Sequence, residues 1–238
     1  MAKADPYISV IIPALNEEKY IKYPLSGLGK QTFGDFETIV VDGGSTDKTI
    51  DLIKGSGARV AVCKRKGIGA GRNMGATLSS GSILVFLDAD TIPSRPLLAS
   101  YAKVFEDPGI VAATGPIYPL EKTNARIKWG YKFVSVMFVK FTIQIGMPSV
   151  VGSNFAVRAD AFRKVRGFDP KLVTYEDWDL SMKLKKLGRI VFVDDAMVRT
   201  SARRVMAWGV WGYFLFHFIN MIMYNLFKTS RKHYKTIR

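Results

Sequence analysis

The chain has little of what many enzyme sites are built from. A single cysteine, Cys63, in 238 residues excludes an intrachain disulfide and a cysteine-rich metal cluster, and this fits a reducing compartment. The two histidines, His217 and His233, both fall late in the chain and give little support to a serine or cysteine triad. The opening "MAKADPYISV" runs straight into a strand-like pattern, so no secretory leader is read there. Internal repeats and low-complexity linkers are also missing. Acids are absent from two long stretches: none lies between Lys122 and Arg158, and none follows Asp195. They gather in the first half and around Asp169 to Asp179, 20 Asp+Glu against 35 Lys+Arg, for a formal net charge of +15. Such a surplus suits an anionic partner. Basic charge set among apolar helices fits acidic lipid better than nucleic acid.

Present instead is an alternation of strand and helix patterns. "YISVIIPA", "FETIVVDG", "ARVAVC" and "SILVFLDA" are near-continuous apolar runs, as strands covered on both faces should be. Helical patterns separate them at Glu17 to Lys30, Asp47 to Lys54 and Ala70 to Ser79. The alternation predicts an α/β fold with a mostly parallel central sheet flanked by helices. Ligands in such sheets bind at the carboxyl ends of the strands, and there stand "PALNEE" (Pro13 to Glu18), "DGGSTD" (Asp42 to Asp47) and "DADT" (Asp88 to Thr91). Three polar strand ends in register predict one shared cleft. Further on, "VVGSNFAVRADAFRKVRGFD" suggests a turn, a short strand and a short helix. "YEDWDLSMKLKKLG" reads as a helix with Leu180, Leu184 and Leu187 inward and Gly188 as its stop.

Several residues carry chemistry. Asp88 and Asp90 lie at period two, so both side chains can lean the same way. Either both carboxylates face water at the strand end, or their mutual repulsion is met by a positive partner, for which a hard divalent cation, Mg²⁺ or Mn²⁺, suits such oxygens. Arg72, in the glycine-rich "GIGAGRNMGATLSSG", is either a fork for phosphate or a structural bridge to one of these aspartates; the two roles are compatible. The stretch is neither a P-loop nor a dinucleotide fingerprint. Glu176 and Asp177 start a helix, which favours their ionised forms, and either is a candidate general base. Asp179 is expected to point toward solvent.

In order, "VIIPALNEE", "VVDGGSTDKT", "GRNMGATLSSGSILVFLDAD", "GSNFAVRADAFRKVRGFD" and "YEDWDLSMKLKKLG" cover roughly residues 7 to 195. The ordered set resembles the family 2 glycosyltransferases of GT-A fold. The resemblance implies an inverting transfer of sugar from a nucleotide-diphosphate donor, most often a UDP-sugar, with a divalent metal. It implies that Pro13, Ala14, Glu17 and Asp42 hold the nucleoside and that Arg72 lies near the nucleotide. Asp88 would contact the ribose or the metal shell, and Asp90 would ligate the metal directly. Asp177 is preferred over Glu176 as base, and Gly152, Ser153 and Asn154, with Trp178, would line the acceptor side. Where processive members carry Q-x-x-R-W, this chain has "TSARRVMAWG", which puts processivity in doubt. Arg203 and Arg204 would either reach the diphosphate or flank a membrane.

Two segments stand apart from this domain, which is expected over residues 1–200. Residues 122–146 can form a helix with Asn124, Lys128, Lys132, Ser135 and Thr142 on one stripe and Trp129, Phe133, Val136, Met137 and Phe141 mostly elsewhere. In the 201–238 segment, Val205 to Phe227 is long enough to span a bilayer. Yet Tyr213, His217, Asn220, Tyr224 and Lys228 recur on one side, and both flanks are basic. A helix lying in the interface of an anionic membrane fits better, on the cytoplasmic face, with a lipid-linked glycan as acceptor; a spanning helix and an ordinary core or dimer helix are the alternatives. The alternatives are a polyprenyl-phosphate acceptor and a non-catalytic protein that binds nucleotide-sugar or anions.

Overall fold

A computed structural model describes residues 5–65 and 67–227. The basic tail from Lys228 onward, with His233, lies outside them, as do the first four residues and the side chain of His217.

The first half folds as its apolar runs dictate. Strands β1 (Ile8–Ala14), β2 (Phe36–Asp42), β3 (Arg59–Val62) and β4 (Ile83–Leu87) alternate with helices α1 (Lys22–Leu28), α2 (Thr49–Lys54) and α3 (Ile68–Leu78). β5 (Thr91–Pro93), α4 (Leu97–Val104), β6 (Ile110–Thr114) and β7 (Ile117–Pro119) follow. After α5 (Ala125–Lys132), a π-helical segment (Phe133–Phe138) and α6 (Val139–Gln144) come β8 (Asn154–Arg158), α7 (Ala159–Lys164) and α8 (Glu176–Leu184). β9 (Arg189–Phe192), β10 (Val198–Thr200) and α9 (Arg203–Phe227) complete the described chain.

The main sheet has seven strands in the order β3-β2-β1-β4-β8-β6-β9. β8 runs antiparallel to β4 and β6, and the remaining pairs are parallel. Every residue of β4 is buried, and Phe86 stacks on Phe155 of β8 with ring centroids 5.5 Å apart. The register sets Ala14 beside Asp42, so the turns after β1 and β2 leave the sheet together. They are laced to each other: the Asn16 and Glu17 amides donate to Ser45 Oγ and Thr49 Oγ1, both at 2.8 Å.

Part of the architecture departs from expectation. The helix expected over Glu17 to Lys30 is regular only within α1; the preceding residues form a tight turn closed by Tyr20 and Ile21 amides on the Glu17 carbonyl. A second sheet of three short strands, β5-β10-β7, has no counterpart in the sequence reading, because three-residue strands are too short to show a period.

The two outlying segments are helical, with inverted polarity. The helix expected over residues 122–146 runs from Ala125 to Gln144 and widens into the π-helical turn in its middle. There Ser135 is buried, and its hydroxyl donates to the Ile117 or Tyr131 carbonyl (both at 2.8 Å) while accepting from the Ile117 amide. Thr142 is buried as well, whereas Trp129, Met137, Phe138 and Phe141 are exposed. α9 kinks at Gly209, whose φ of 72° and ψ of 160° lie outside helical space and favour glycine. Beyond the kink Asn220 and Tyr224 face inward, while Trp211, Leu215, Ile222 and Leu226 face out. Among the described residues no helix is long and apolar enough to cross a membrane.

Candidate active site

The carboxyl ends of β1, β2 and β4 converge as the strand register requires. β4 ends at Leu87, and the chain turns at once into Asp88, Ala89 and Asp90 before β5. Asp88 Oδ1 accepts from Arg72 Nη2 at 2.8 Å, and Arg72 Nη1 donates to Glu176 Oε1 at 3.0 Å. Arg72 sits on the second turn of α3, is 2% exposed, and lies over the Phe168 ring with Cζ 5.3 Å from the centroid. It is therefore a structural tie between the strand end and the start of α8. The open phosphate fork that the sequence also allowed has no room, because Gly152 covers the guanidinium: a Cβ there would stand 2.7 Å from both terminal nitrogens. Burial disfavours the Arg72 charge, but Asp88, Glu176 and Asp177 outweigh it and hold the group more firmly protonated than usual.

Glu176 and Asp177 enter α8 through Tyr175, a non-glycine residue at φ 70°. Strain of this kind persists where the surroundings fix it, often at working sites. Asp177 Oδ2 accepts from the Gly152 amide at 3.3 Å and Oδ1 from the Trp178 amide at 2.8 Å. Burial first, and the neighbouring carboxylate for Glu176, push both acids above the usual carboxylate range, with Arg72 opposing. Three carboxylates around one guanidinium leave excess negative charge, so the acid pair holds a proton to higher pH than isolated acids would. A base raised toward working pH is suited to take a proton from a hydroxyl.

Asp90 is held differently. Its Oδ1 accepts from Thr200 Oγ1 at 3.1 Å, and its Oδ2 lies 3.3 Å from Arg203 Nη2. Burial, then the charge of Asp88, push its carboxyl up to about 6, with Arg203 opposing. Arg203 also forks onto Glu17, with Nη1 to Oε2 at 2.9 Å and Nη2 to Oε1 at 2.6 Å, and its Cζ stands 4.5 Å from the Tyr20 ring centre. The positive partner that the aspartates require is thus Arg203 for Asp90 and Arg72 for Asp88. Asp88 has the more open side chain, 31% exposed against 14%.

The remaining candidates divide. Pro13 and Ala14 end β1 beside the turn after β2. Asp42 is fully buried and ties its own turn, accepting from the Gly44 and Ser45 amides at 2.8 Å and from Ser45 Oγ. Ser153 lines the cavity beside Asp88 and Asp90, as do Arg203 and Arg204. Asn154 faces no acceptor space: it is fully buried, accepts from Tyr101 OH at 2.7 Å, and donates to the Pro116 and Ala196 carbonyls. Gly152 serves Arg72 and Asp177 instead of an open subsite. Trp178 is half-buried, its ring 6.3 Å from that of Tyr175. Asp179 is not turned to solvent; it pairs with Lys183 within α8 and accepts from Tyr224 OH at 2.7 Å, a bond that ties α9 to α8. Thr200 was missed, since its strand gives no periodic pattern. So was Tyr213, which lines the cavity and whose phenol is raised by burial, with Asp177 and Asp88 adding and Arg204 opposing.

That cavity, about 190 Å³, opens from Asp88 and Asp90 toward α5 and α9. Among the described residues no group of three or more His, Cys, Asp or Glu side chains is placed to hold a metal unaided. Two carboxylates, Asp88 and Asp90, suit Mg²⁺ or Mn²⁺ of the kind that takes further oxygens from substrate phosphates.

The family model described as glycosyl transferase family 2 matches residues 9–166. The chain belongs to that family. A "PGL/p-HBAD biosynthesis glycosyltransferase" of Mycobacterium tuberculosis is 39% identical over 93 residues, 37% of this chain and 36% of that protein. The "Probable glycosyltransferase YdaM" of Bacillus subtilis is 27% identical over 225 residues, 87% of this chain and 53% of its own length. The family 2 chain thus spans about a third to a half of these relatives. Mannosyltransferase PcManGT from Pyrobaculum calidifontis, solved with GDP-Man and Mn2+, has the same fold, with a TM-score of 0.67 at 20% identity over 91% of this chain and 65% of that one. The α/β architecture of this family 2 member is the GT-A fold.

Proposed function

We propose that the protein is an inverting, metal-dependent glycosyltransferase that moves a sugar from a nucleotide-diphosphate donor, with a UDP-sugar the expected one, to a hydroxyl acceptor at a membrane surface. One observation carries the reading: Arg72 joins Asp88 to Glu176 at 2.8 and 3.0 Å, so the metal-side strand end and the acid pair form one constellation. Pro13, Ala14 and the turn tied by Asp42 form the nucleoside side. Asp90, with Asp88, would hold Mn²⁺ or Mg²⁺, which when bound neutralises charge on the departing diphosphate. Asp177 takes the acceptor proton as the acceptor oxygen bonds to the anomeric carbon and the bond to the diphosphate breaks on the opposite face. Glu176, locked by Arg72, positions its neighbour.

The outward apolar faces of α5 through α6 and of α9 support attachment to the cytoplasmic face of an anionic membrane without crossing it. Lys128 and Lys132 are exposed along the first of these helices. A lipid-linked glycan is an acceptor within reach of such a surface. A panel of nucleotide sugars assayed with manganese, reading release of nucleoside diphosphate, tests the activity; release from none of them would sink the transferase. Flotation of the full chain with anionic and with neutral vesicles tests attachment, and equal recovery without lipid would remove it.

A further inference from the structure

The cavity over Asp88 and Asp90 changes chemistry along its length. At one end stand the two carboxylates, with Ser153 and Thr200. The side formed by α5 and α9 is mostly aliphatic, with Ile127, Val134, Val151 and Val210 around Gly130, and its polar members are Tyr131, Ser135, whose hydroxyl is taken up by backbone, Tyr213, and the arginines at the start of α9. A sugar hydroxyl pressed against these aliphatic groups would lose its water without gaining a partner. Hydrocarbon would lose nothing. Val134 both lines the cavity and is exposed on the apolar outer face that carries Met137, Phe138 and Phe141, so wall and face are continuous. The 151–153 segment forms the other side, and the Gly152 amide within it is bonded to Asp177.

We propose that this cavity seats the hydrocarbon part of the acceptor. The acceptor is then an amphiphile with its hydroxyl toward the 151–153 segment, behind which Asp177 is bonded to the Gly152 amide, and its alkyl or prenyl chain between α5 and α9. This rests on the transferase reading and specifies the acceptor that reading leaves open. Gly130 supplies the means of testing it. A Cβ at Gly130 meets Val210 Cγ1 at 3.8 Å, an ordinary contact, so a side chain can grow from α5 into the space without a clash at its root. Leucine is also the better helix former.

The full chain and a Gly130→Leu variant are titrated calorimetrically with butyl, hexyl and octyl β-glucoside, each below its critical micelle concentration. The native protein should bind about fourfold more tightly for each methylene added, the gain expected for buried CH₂. The variant should melt no lower than the native protein and lose most of that dependence. Affinity that is flat along the series overturns the proposal. So does an equal slope in both proteins, which would put the chains on the outer helical faces. The parent reading is read separately, as metal-dependent release of nucleoside diphosphate with water as acceptor. Release together with a flat series removes only the hydrocarbon site, whereas no release from any donor removes the transferase.

Discussion

The sheet and the two outlying helical segments bury opposite chemistries. In the sheet half, β4 is buried along its whole length, its neighbours put mainly Ile, Val, Leu and Phe inward, and the acids Asp42, Asp88 and Asp90 stand at the carboxyl ends of β2 and β4. In α5 through α6 and in α9, Ser135, Thr142, Asn220 and Tyr224 face the protein, while Trp129, Phe141, Trp211 (84% exposed) and Leu226 face away. Large apolar patches left exposed on a folded chain mark an interaction surface. The same hydrophobic effect thus builds a core in one region and leaves an exposed apolar surface in the other, the surface proposed above to meet lipid, and mutations should separate the two.

The sharpest break is in chemistry. Asp177→Asn should slow sugar transfer by about 10²–10⁴-fold with donor binding retained; near-full activity would point to a phosphate acceptor, which needs no strong base. Arg72→Met should be the most destabilising change of the sheet half. It strands Asp88 and Glu176 without their cation, and breaking a buried pair costs about 3–5 kcal/mol, readable by urea unfolding. Manganese affinity should be level above about pH 6, where Asp90 is ionised, and fall about tenfold per pH unit below it. At Asp90 the fold keeps a proton that the unfolded chain loses near 3.8. Asp90 therefore withdraws stability from the metal-free protein as pH rises from about 4 to about 6 and contributes no further change above, while Glu176, pushed up to about 7, carries the same loss somewhat higher. Smallest in the fold, Trp211→Ser should move urea unfolding by less than about 0.5 kcal/mol yet weaken binding to anionic vesicles by roughly tenfold, the value of one large apolar side chain. A Trp211→Ser protein that unfolds early but still floats with vesicles would erase the distinction between the two regions.

The sequence made the first region readable because long apolar runs and polar strand ends are local patterns. The four strands, the shared cleft and the pairing of acids with a cation at Asp88 could all be read residue by residue. What escaped depends on contacts between distant segments. Nothing near Arg72 reveals that Gly152, 80 positions on, will close over it. Asn154 sits in a motif that suggests an acceptor contact, yet Tyr101, Pro116 and Ala196 consume its polar atoms. Asp179 follows the acid pair in an exposed-looking helical position, and only Tyr224 from α9 shows why it is covered. The polar stripe expected over residues 122–146 divides, with Ser135 and Thr142 buried and Asn124, Lys128 and Lys132 exposed, because the π-helical widening at Ser135, bonded to the Ile117 backbone, shifts the spacing within it.

Arg203 spans Glu17 and Asp90, and 186 residues separate it from the first of them. A ribosome therefore exposes both acids long before their shared cation exists. Until that arginine emerges, Glu17 and Asp90 lack the partner they share, so this side of the cleft can close only once residue 203 has been made.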